Sequence, residues 1–277
     1  MVARIFICTF ANDRTIKEIK NVKRAERDFM KLSVQQITKT FGERQVLNDI
    51  SFEVVEGKAC VLMGTNGSGK TTLFNILSGF VAQDKGEVLL DGLCVNKLKP
   101  YERCLKGIGR TFQDLRLIGG LTVKENVLLA FPKQDGEKWW NVLLPFKKVK
   151  TEQGKNKQVA EMILKQCFIN DVADSKAEEI SYGQQKLLNL ACCIACGTHV
   201  LLLDEPVAGV NPSYREKLAD VITQLKSEGK TILIIEHNSD FNEAVADEIL
   251  FLHNGSLRHY DSYSNLKNDK EVLEAYI

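Results

Sequence analysis

With 277 residues, 44% of them hydrophobic, the chain can bury a full core and is long enough for one large domain or two intimate subdomains. Its 37 basic and 36 acidic residues leave a formal net charge of +1, which excludes the global positive field of a nucleic-acid binder and gives no argument for an anionic membrane surface. No apolar run approaches the roughly 18 to 20 residues that span a bilayer.

Residues 1–29 stand apart as an N-terminal extension. The short apolar run 5–11 lacks the small-residue cleavage pattern of a signal peptide. The charged stretch after it carries Ile16, Ile19 and Val22 at helical spacing, the pattern of a basic amphipathic surface helix. Met30 directly precedes a strand-like run and is a second candidate start, which places 1–29 outside the catalytic fold.

From residue 31 onward, β-branched runs alternate with helical segments, the pattern of an α/β domain. Strands are expected at 31–38, 50–55, 59–63, 87–90, 200–203, 231–235, 248–252 and 256–260. The stretch from about 114 to 197 has almost no strand signal and reads as helical. Within it, 131–158 is a polar connection containing Pro and Gly, with Trp139, Trp140 and Phe146 expected to pack locally. The organisation read from this is a core of 31–112 and 198–260, a helical subdomain at 113–197 inserted between its halves, and a tail at 261–277. Eight cysteines show no spacing with histidines that would hold a metal, and they read as reduced, buried, cytosolic thiols, the half-motif Cys193-x-x-Cys196 included.

The chemistry begins at "GTNGSGKTT", where Gly64, Thr65, Asn66, Gly67, Ser68, Gly69, Lys70, Thr71 and Thr72 follow an apolar run and open a helix. Glycines let the backbone wrap a polyphosphate with its N–H groups pointing inward. Lys70 then reaches the β- and γ-phosphates, and Thr71 places a hydroxyl on Mg²⁺. This is a P-loop. A guanine-reading Asn-Lys-x-Asp is missing, because Asn96-Lys97 continues as Leu98-Lys99, so ATP is the expected nucleotide.

The run "HVLLLDEP" ends a buried strand in two carboxylates: Asp204 suits support of Mg²⁺ through water, and Glu205 suits the general base that polarises attacking water. The strand "TILIIEHN" brings His237 to a carboxyl end, where ligands of α/β sheets gather, as a γ-phosphate contact. A second anion site is written in "ISYGQQ": a polar turn with Ser181, Gly183 and Gln184 opens directly into an apolar-striped helix.

In this order the motifs of residues 31 to about 260 resemble the ATP-binding subunit of ABC transporters. Ile180-Ser181-Tyr182-Gly183-Gln184 keeps the Ser, second Gly and Gln of that family's Leu-Ser-Gly-Gly-Gln signature, and its Tyr is similar to the subgroup serving branched-chain amino-acid importers. The resemblance implies a P-loop NTPase with a RecA-like core, an antiparallel β subdomain and an inserted helical subdomain. It implies that the signature of one subunit covers the γ-phosphate held by the P-loop of another. It also implies a Q-loop at Gln113 touching Mg²⁺, an adenine-stacking ring at Phe41, and a loop crossing the dimer interface at 207–212, where Asn211 stands in place of the commoner Asp.

The implied partners are a second ATPase subunit, transmembrane permease subunits and a solute-binding protein, with no nucleic acid. The implied location is cytoplasmic, peripheral on the inner face of the cell membrane. Alternatives are an ABC ATPase for urea, another solute, or lipid or lipopolysaccharide export, or a soluble, non-transport regulatory ABC protein; many of the latter carry two cassettes, and this chain has one. Arg215, just beyond the interface loop, reads as a solvated helix charge without a role.

Overall fold

The structure, a computed structural model, describes residues 31–132 and 147–270 together with 272 and 274. The amphipathic segment expected within 1–29 and the patch of Trp139, Trp140 and Phe146 lie outside the described residues.

Three strands are buried along their whole length and are apolar except for Thr231 and the terminal Asp204: β3 (Ala59–Gly64), β7 (Val200–Asp204) and β8 (Thr231–Ile235). Such runs belong in the middle of a parallel sheet covered on both faces. They pair in parallel there, flanked by β6 (Ile108–Arg110) beside β7 and by β9 (Glu248–His253) beside β3, with β10 (Ser256–Tyr260) closing the edge antiparallel to β9. A second sheet is antiparallel, in the order β2-β1-β4-β5: β1 is Leu32–Phe41, β2 Arg44–Val54, β4 Lys85–Leu90 and β5 Leu93–Cys94.

Strand periodicity divides the core in two. Ala59, Val61, Met63, Leu201, Leu203, Ile232 and Ile234 face one way, toward helices α3 (Val123–Leu129), α4 (Lys147–Gln166), α5 (Tyr182–Ala195), α6 (Pro212–Ser227) and α7 (Ser239–Val245). Their neighbours Cys60, Leu62, Val200, Leu202, Leu233 and Ile235 face the other way, toward α1 (Lys70–Leu77) and the apolar side of the antiparallel sheet. Helix α1 is therefore clasped between two sheets. It buries Leu73, Phe74, Ile76 and Leu77, on the order of 2 kcal/mol per side chain, which anchors the loop that precedes it. The short helices α2 (Pro100–Leu105) and α8 (Tyr263–Lys267) and a single 3-10 turn at Asn170–Val172 complete the described elements.

Differences from the sequence expectation have local causes. Strand β2 begins at Arg44 rather than Ile50, because the turn at Gly42 (φ 59°) folds it onto β1 as a hairpin pairing Phe41 with Arg44. β5 and β6 are two and three residues long, too short to show a period. β1 bulges after Gln35, with Gln36 at φ 52°, and β4 passes so close that a Cβ on Gly86 would stand 2.3 Å from the Gln35 carbonyl oxygen. Among the described residues the cysteines are free thiols, but they are not all buried, since Cys94 is exposed on β5.

Arg103, on α2, is 2% exposed and has no carboxylate partner among the bonds it makes. Its guanidinium donates to the carbonyls of Ile76 and Leu77 at 2.6 and 2.9 Å, and to those of Leu98 and Asn96 at 3.2 Å each. The first two lie at the C-terminal end of α1, where the helix dipole is negative and the last carbonyls lack intrahelical donors. Arg103→Met removes that cation while keeping an unbranched apolar stem. It is predicted to lower stability by about 3 kcal/mol in urea unfolding, since several carbonyls lose a charged donor; an unchanged midpoint would show that they find other partners.

Candidate functional site

The parallel register sets three strand ends side by side. Leu62 pairs with Ile235 and Asp204 pairs with Ile235, so the loops that follow β3, β7 and β8 leave the sheet on one edge. Those loops carry Gly64 to Thr72, Asp204 with Glu205, and His237.

The first loop is built around glycine. A Cβ on Gly64 would lie 2.1 Å from the Leu252 carbonyl oxygen, and one on Gly69 would meet Leu47 and Val46 of β2 at 2.9 and 3.0 Å. Gly67 (φ 76°) and Gly69 (φ 108°) take left-handed backbone. Gly69 is also the N-cap of α1, and it offers no side-chain cap. Helices α3, α5, α6, α7 and α8 are all capped by a side chain, from Thr122, Ser181, Asn211, Asn238 and Ser262. The N-cap of α2, Lys99, makes no side-chain cap either, but that helix opens on Pro100, which has no amide N–H to satisfy; at α1 the first-turn amides are left to an outside acceptor, at the positive end of the dipole.

Lys70 opens that helix, 7% exposed, its Nζ donating to the carbonyls of Gly64 and Thr65 at 2.7 and 2.9 Å. Burial holds its pKa below the usual lysine value, against the pull of Glu205 and Asp204. Ser68 Oγ is buried without a protein partner, a polar atom suited to a ligand oxygen. Thr71 is exposed and Thr72 half-buried, with Thr65, Asn66 and Gly67 on the open side of the loop. Arg44 reaches the carbonyl of Gly67 at 3.3 Å, which sets the β1–β2 hairpin beside the loop; Phe41, its cross-strand partner, is 50% exposed, with Lys39 Nζ 5.2 Å from the ring centroid.

Asp204 is buried and paired with Arg110 at 2.9 Å. Arg110 also donates to Asn75 Oδ1 on α1 and to Ser78 Oγ at its C-cap, and its guanidinium lies over the rings of Phe74 and Phe112. One side chain thus ties the end of β6 to the acidic end of β7 and to the helix after the P-loop. Sequence reasoning missed it, because a lone Arg in a three-residue strand has no pattern; its neighbour Gln113 was the only signal nearby.

Glu205 sits at φ 47°, a left-handed conformation rare outside glycine. Gln113 Nε2 donates to its carboxylate at 3.0 Å, and Lys186 from α5 donates to its carbonyl at 3.1 Å. The His237 imidazole is open to solvent on one side. Protein packed around the other side is the largest cause of a pKa below its usual 6.5; Lys70 adds to the depression, while Glu205 and Glu236 oppose it. Lys70, Asp204, Glu205, Gln113 and His237 therefore form one electrostatic group.

The signature residues lie outside that group. Ser181 and Gln184 make a capping box at the start of α5: Ser181 Oγ accepts from the Gln184 amide at 3.3 Å, and Gln184 Oε1 accepts from the Ser181 amide at 2.9 Å. Gly183 is buried under Tyr214 of α6, where a Cβ would fall 2.7 Å from the ring. Asn211 caps α6 by accepting from the Tyr214 amide at 3.1 Å, a task Asp performs equally well. Arg215 is not the solvated charge expected: it donates to the Val210 carbonyl at 2.8 Å and closes the loop 207–211 onto α6.

Chemically, uncapped amides, an ammonium, a hydroxyl, an amide and two carboxylates at one sheet edge can cradle a polyphosphate and activate water against it. Among the described residues no group of three or more His, Cys, Asp or Glu forms a metal cage. A cation here would draw on oxygen donors of the kind Thr71, Gln113 and Asp204 carry, which suit Mg²⁺.

A sequence profile of the ABC transporter family matches residues 47–208. The chain is similar to the high-affinity branched-chain amino acid transport ATP-binding protein BraF of Pseudomonas aeruginosa, at 30% identity over 89% of this chain and 97% of that protein. Among solved structures it is similar to a nucleotide-free ATP-binding cassette from an ABC transporter, with a TM-score of 0.76 at 32% identity over 90% of this chain and 99% of that one. It is also similar to a dimeric ATP-binding cassette in a post-hydrolysis state bound to ADP and Pi, with a TM-score of 0.68 at 26% identity over 83% and 98%.

The His237 environment yields a titration prediction. With burial and Lys70 both disfavouring the cation, the imidazole is expected to titrate below 6.5 and to be neutral at pH 7. Lys70→Ala removes one of those causes and leaves Glu205 and Glu236, so the pKa read from the imidazole proton shifts by NMR should rise. A value unmoved by the substitution would mean that the two side chains do not share a site.

Proposed function

The chain belongs to the ABC transporter family, and from that membership we propose that it powers a membrane importer of branched-chain or related amino acids. It is an ATP-binding and ATP-hydrolysing cassette. The observation that carries the residue assignments is the uncapped start of α1: its free amides and Lys70 face the strand ends that bear Asp204, Glu205 and His237.

In this reading residues Gly64 to Thr72 wrap the phosphates, with Lys70 drawn from its carbonyls to the β- and γ-oxygens, and Phe41 stacks on adenine from its exposed face. Thr71, Gln113 and Asp204 would hold Mg²⁺, which when bound neutralises phosphate charge. Glu205 orients and deprotonates water as general base, Gln113 holds its carboxylate, and neutral His237 contacts the γ-phosphate. Helical residues 113–197 act as a lobe inserted into the core of 31–112 and 198–260, and Ser181, Gly183 and Gln184 complete the ATP site of a second subunit. The dimeric ADP and Pi structure among its neighbours supports two cassettes acting together.

The remaining partners are transmembrane permease subunits and a solute-binding protein. Among the described residues no helix is long and apolar enough to cross a membrane, so membrane association would be peripheral, through the permease. The name of BraF supports the solute class; no observation favours urea, lipopolysaccharide export or a soluble regulatory protein.

Two substitutions test the shared site. Glu205→Gln should bind ATP, lose about 10² to 10⁴ in turnover, and accumulate as an ATP-bound dimer. Gly183 is unsuitable for the second change, because any side chain there collides with Tyr214. Ser181→Asp is better, since Asp caps a helix as well as Ser does and adds a carboxylate where the partner's γ-phosphate would lie. Sedimentation with ATP and Mg²⁺ should find the double variant monomeric with nucleotide still bound. A double variant that dimerises like Glu205→Gln would remove Ser181 from a shared site.

A further inference from the structure

Glu236 lies between Ile235 of β8 and His237, and it is 4% exposed. A buried carboxylate is costly unless its oxygens are satisfied, and here both are. Oε1 accepts from the amides of His237 and Asn238 at 2.8 and 3.2 Å, which folds the turn carrying His237 around the carboxylate. Oε2 accepts from the Val207 amide at 3.1 Å, across 29 residues of sequence. Val207 follows Pro206, which has no N–H, and Glu205, whose own amide donates to the Ile235 carbonyl at 2.9 Å. The segment after β7 is thus bonded twice to the end of β8, once through backbone and once through Glu236.

We propose that Glu236 is a positioning residue, fixing His237 relative to Glu205 and coupling both to the loop 207–211 that would meet the second subunit. Side chains hold the main chain on both sides. Asn242, fully buried, donates to the Glu236 carbonyl at 3.3 Å, and Arg215 ties the far end of the loop through the Val210 carbonyl. A displacement of 207–211 at a dimer interface would pull on Val207 and, through the carboxylate, on the turn bearing His237. The proposal rests on the reading that Glu205 and His237 serve one γ-phosphate.

Two variants separate a cross-loop clamp from a local turn stabiliser. Glu236→Asp keeps a carboxylate able to accept from the amides of residues 237 and 238, but it is one methylene short of Val207. Glu236→Gln keeps one acceptor oxygen and turns an N–H₂ group toward an N–H donor. In the full chain both should lower kcat for ATP hydrolysis about 10- to 100-fold, with the ATP dissociation constant within about twofold of wild type and the melting temperature nearly unchanged.

His237→Ala is measured alongside. If the clamp acts through His237, Glu236→Asp added to His237→Ala should cost less than twofold further. Wild-type kcat in Glu236→Asp would overturn the proposal. So would kcat, affinity and melting temperature falling together, or losses that multiply in the double variant. Normal turnover in His237→Ala would instead overturn the reading of the site on which the proposal rests.

Discussion

Everything at the candidate site depends on the pairing of three buried parallel strands. Because Leu62 and Asp204 both align with Ile235, the glycine loop, the two carboxylates and the histidine turn leave the sheet at one level. The alignment is secured by burial on both faces, since each of these strands alternates its side chains between two apolar clusters. A slip of one residue would exchange those clusters and move the carboxylates off the edge, so the register is held by the whole core. The buried ion pair of Arg110 with Asp204 then fixes the direction of one carboxylate, and the Gln113 bond fixes the other.

The central strands, the P-loop and the paired carboxylates were legible because each repeats a physical signature over five or more residues: an unbroken apolar run, glycines where backbone must approach closely, charges placed at the end of such a run. Phe41 and Gln113 were reached only through resemblance, because one ring at the end of a strand and one amide in a loop have no period. Arg110 and Arg215 escaped because their partners, Asp204 and the Val210 carbonyl, are set by tertiary contacts that local sequence does not encode. Glu236 was overlooked beside His237 for the same reason: its meaning lies in Val207, 29 residues away. The sequence expectation for Gly183 is a phosphate contact; what the structure shows is a steric reason for glycine there, the Tyr214 ring pressed against it.

The capping pattern shows how a helix start can be assigned before any ligand is considered. Five helix starts are closed by Ser, Thr or Asn side chains and α2 opens on Pro100, which has no amide N–H, whereas α1 is left to glycine with its first amides uncapped. An anion that binds there acts as the missing cap. Its affinity adds directly to the stability of the fold, by about 2.7 kcal/mol at a hundredfold excess over the dissociation constant.

The backbone of Glu205 has a further consequence. At φ 47° this residue holds a conformation that costs a non-glycine side chain on the order of 1 kcal/mol or more, in a segment pinned by its neighbours so that it cannot relax. Glycine would sit there without strain. A chain selected for durability alone would therefore drift toward glycine at this position and lose its carboxylate. On the reading that Glu205 is the general base, keeping a glutamate in a glycine's place is a standing trade of robustness for turnover, located in a single torsion angle.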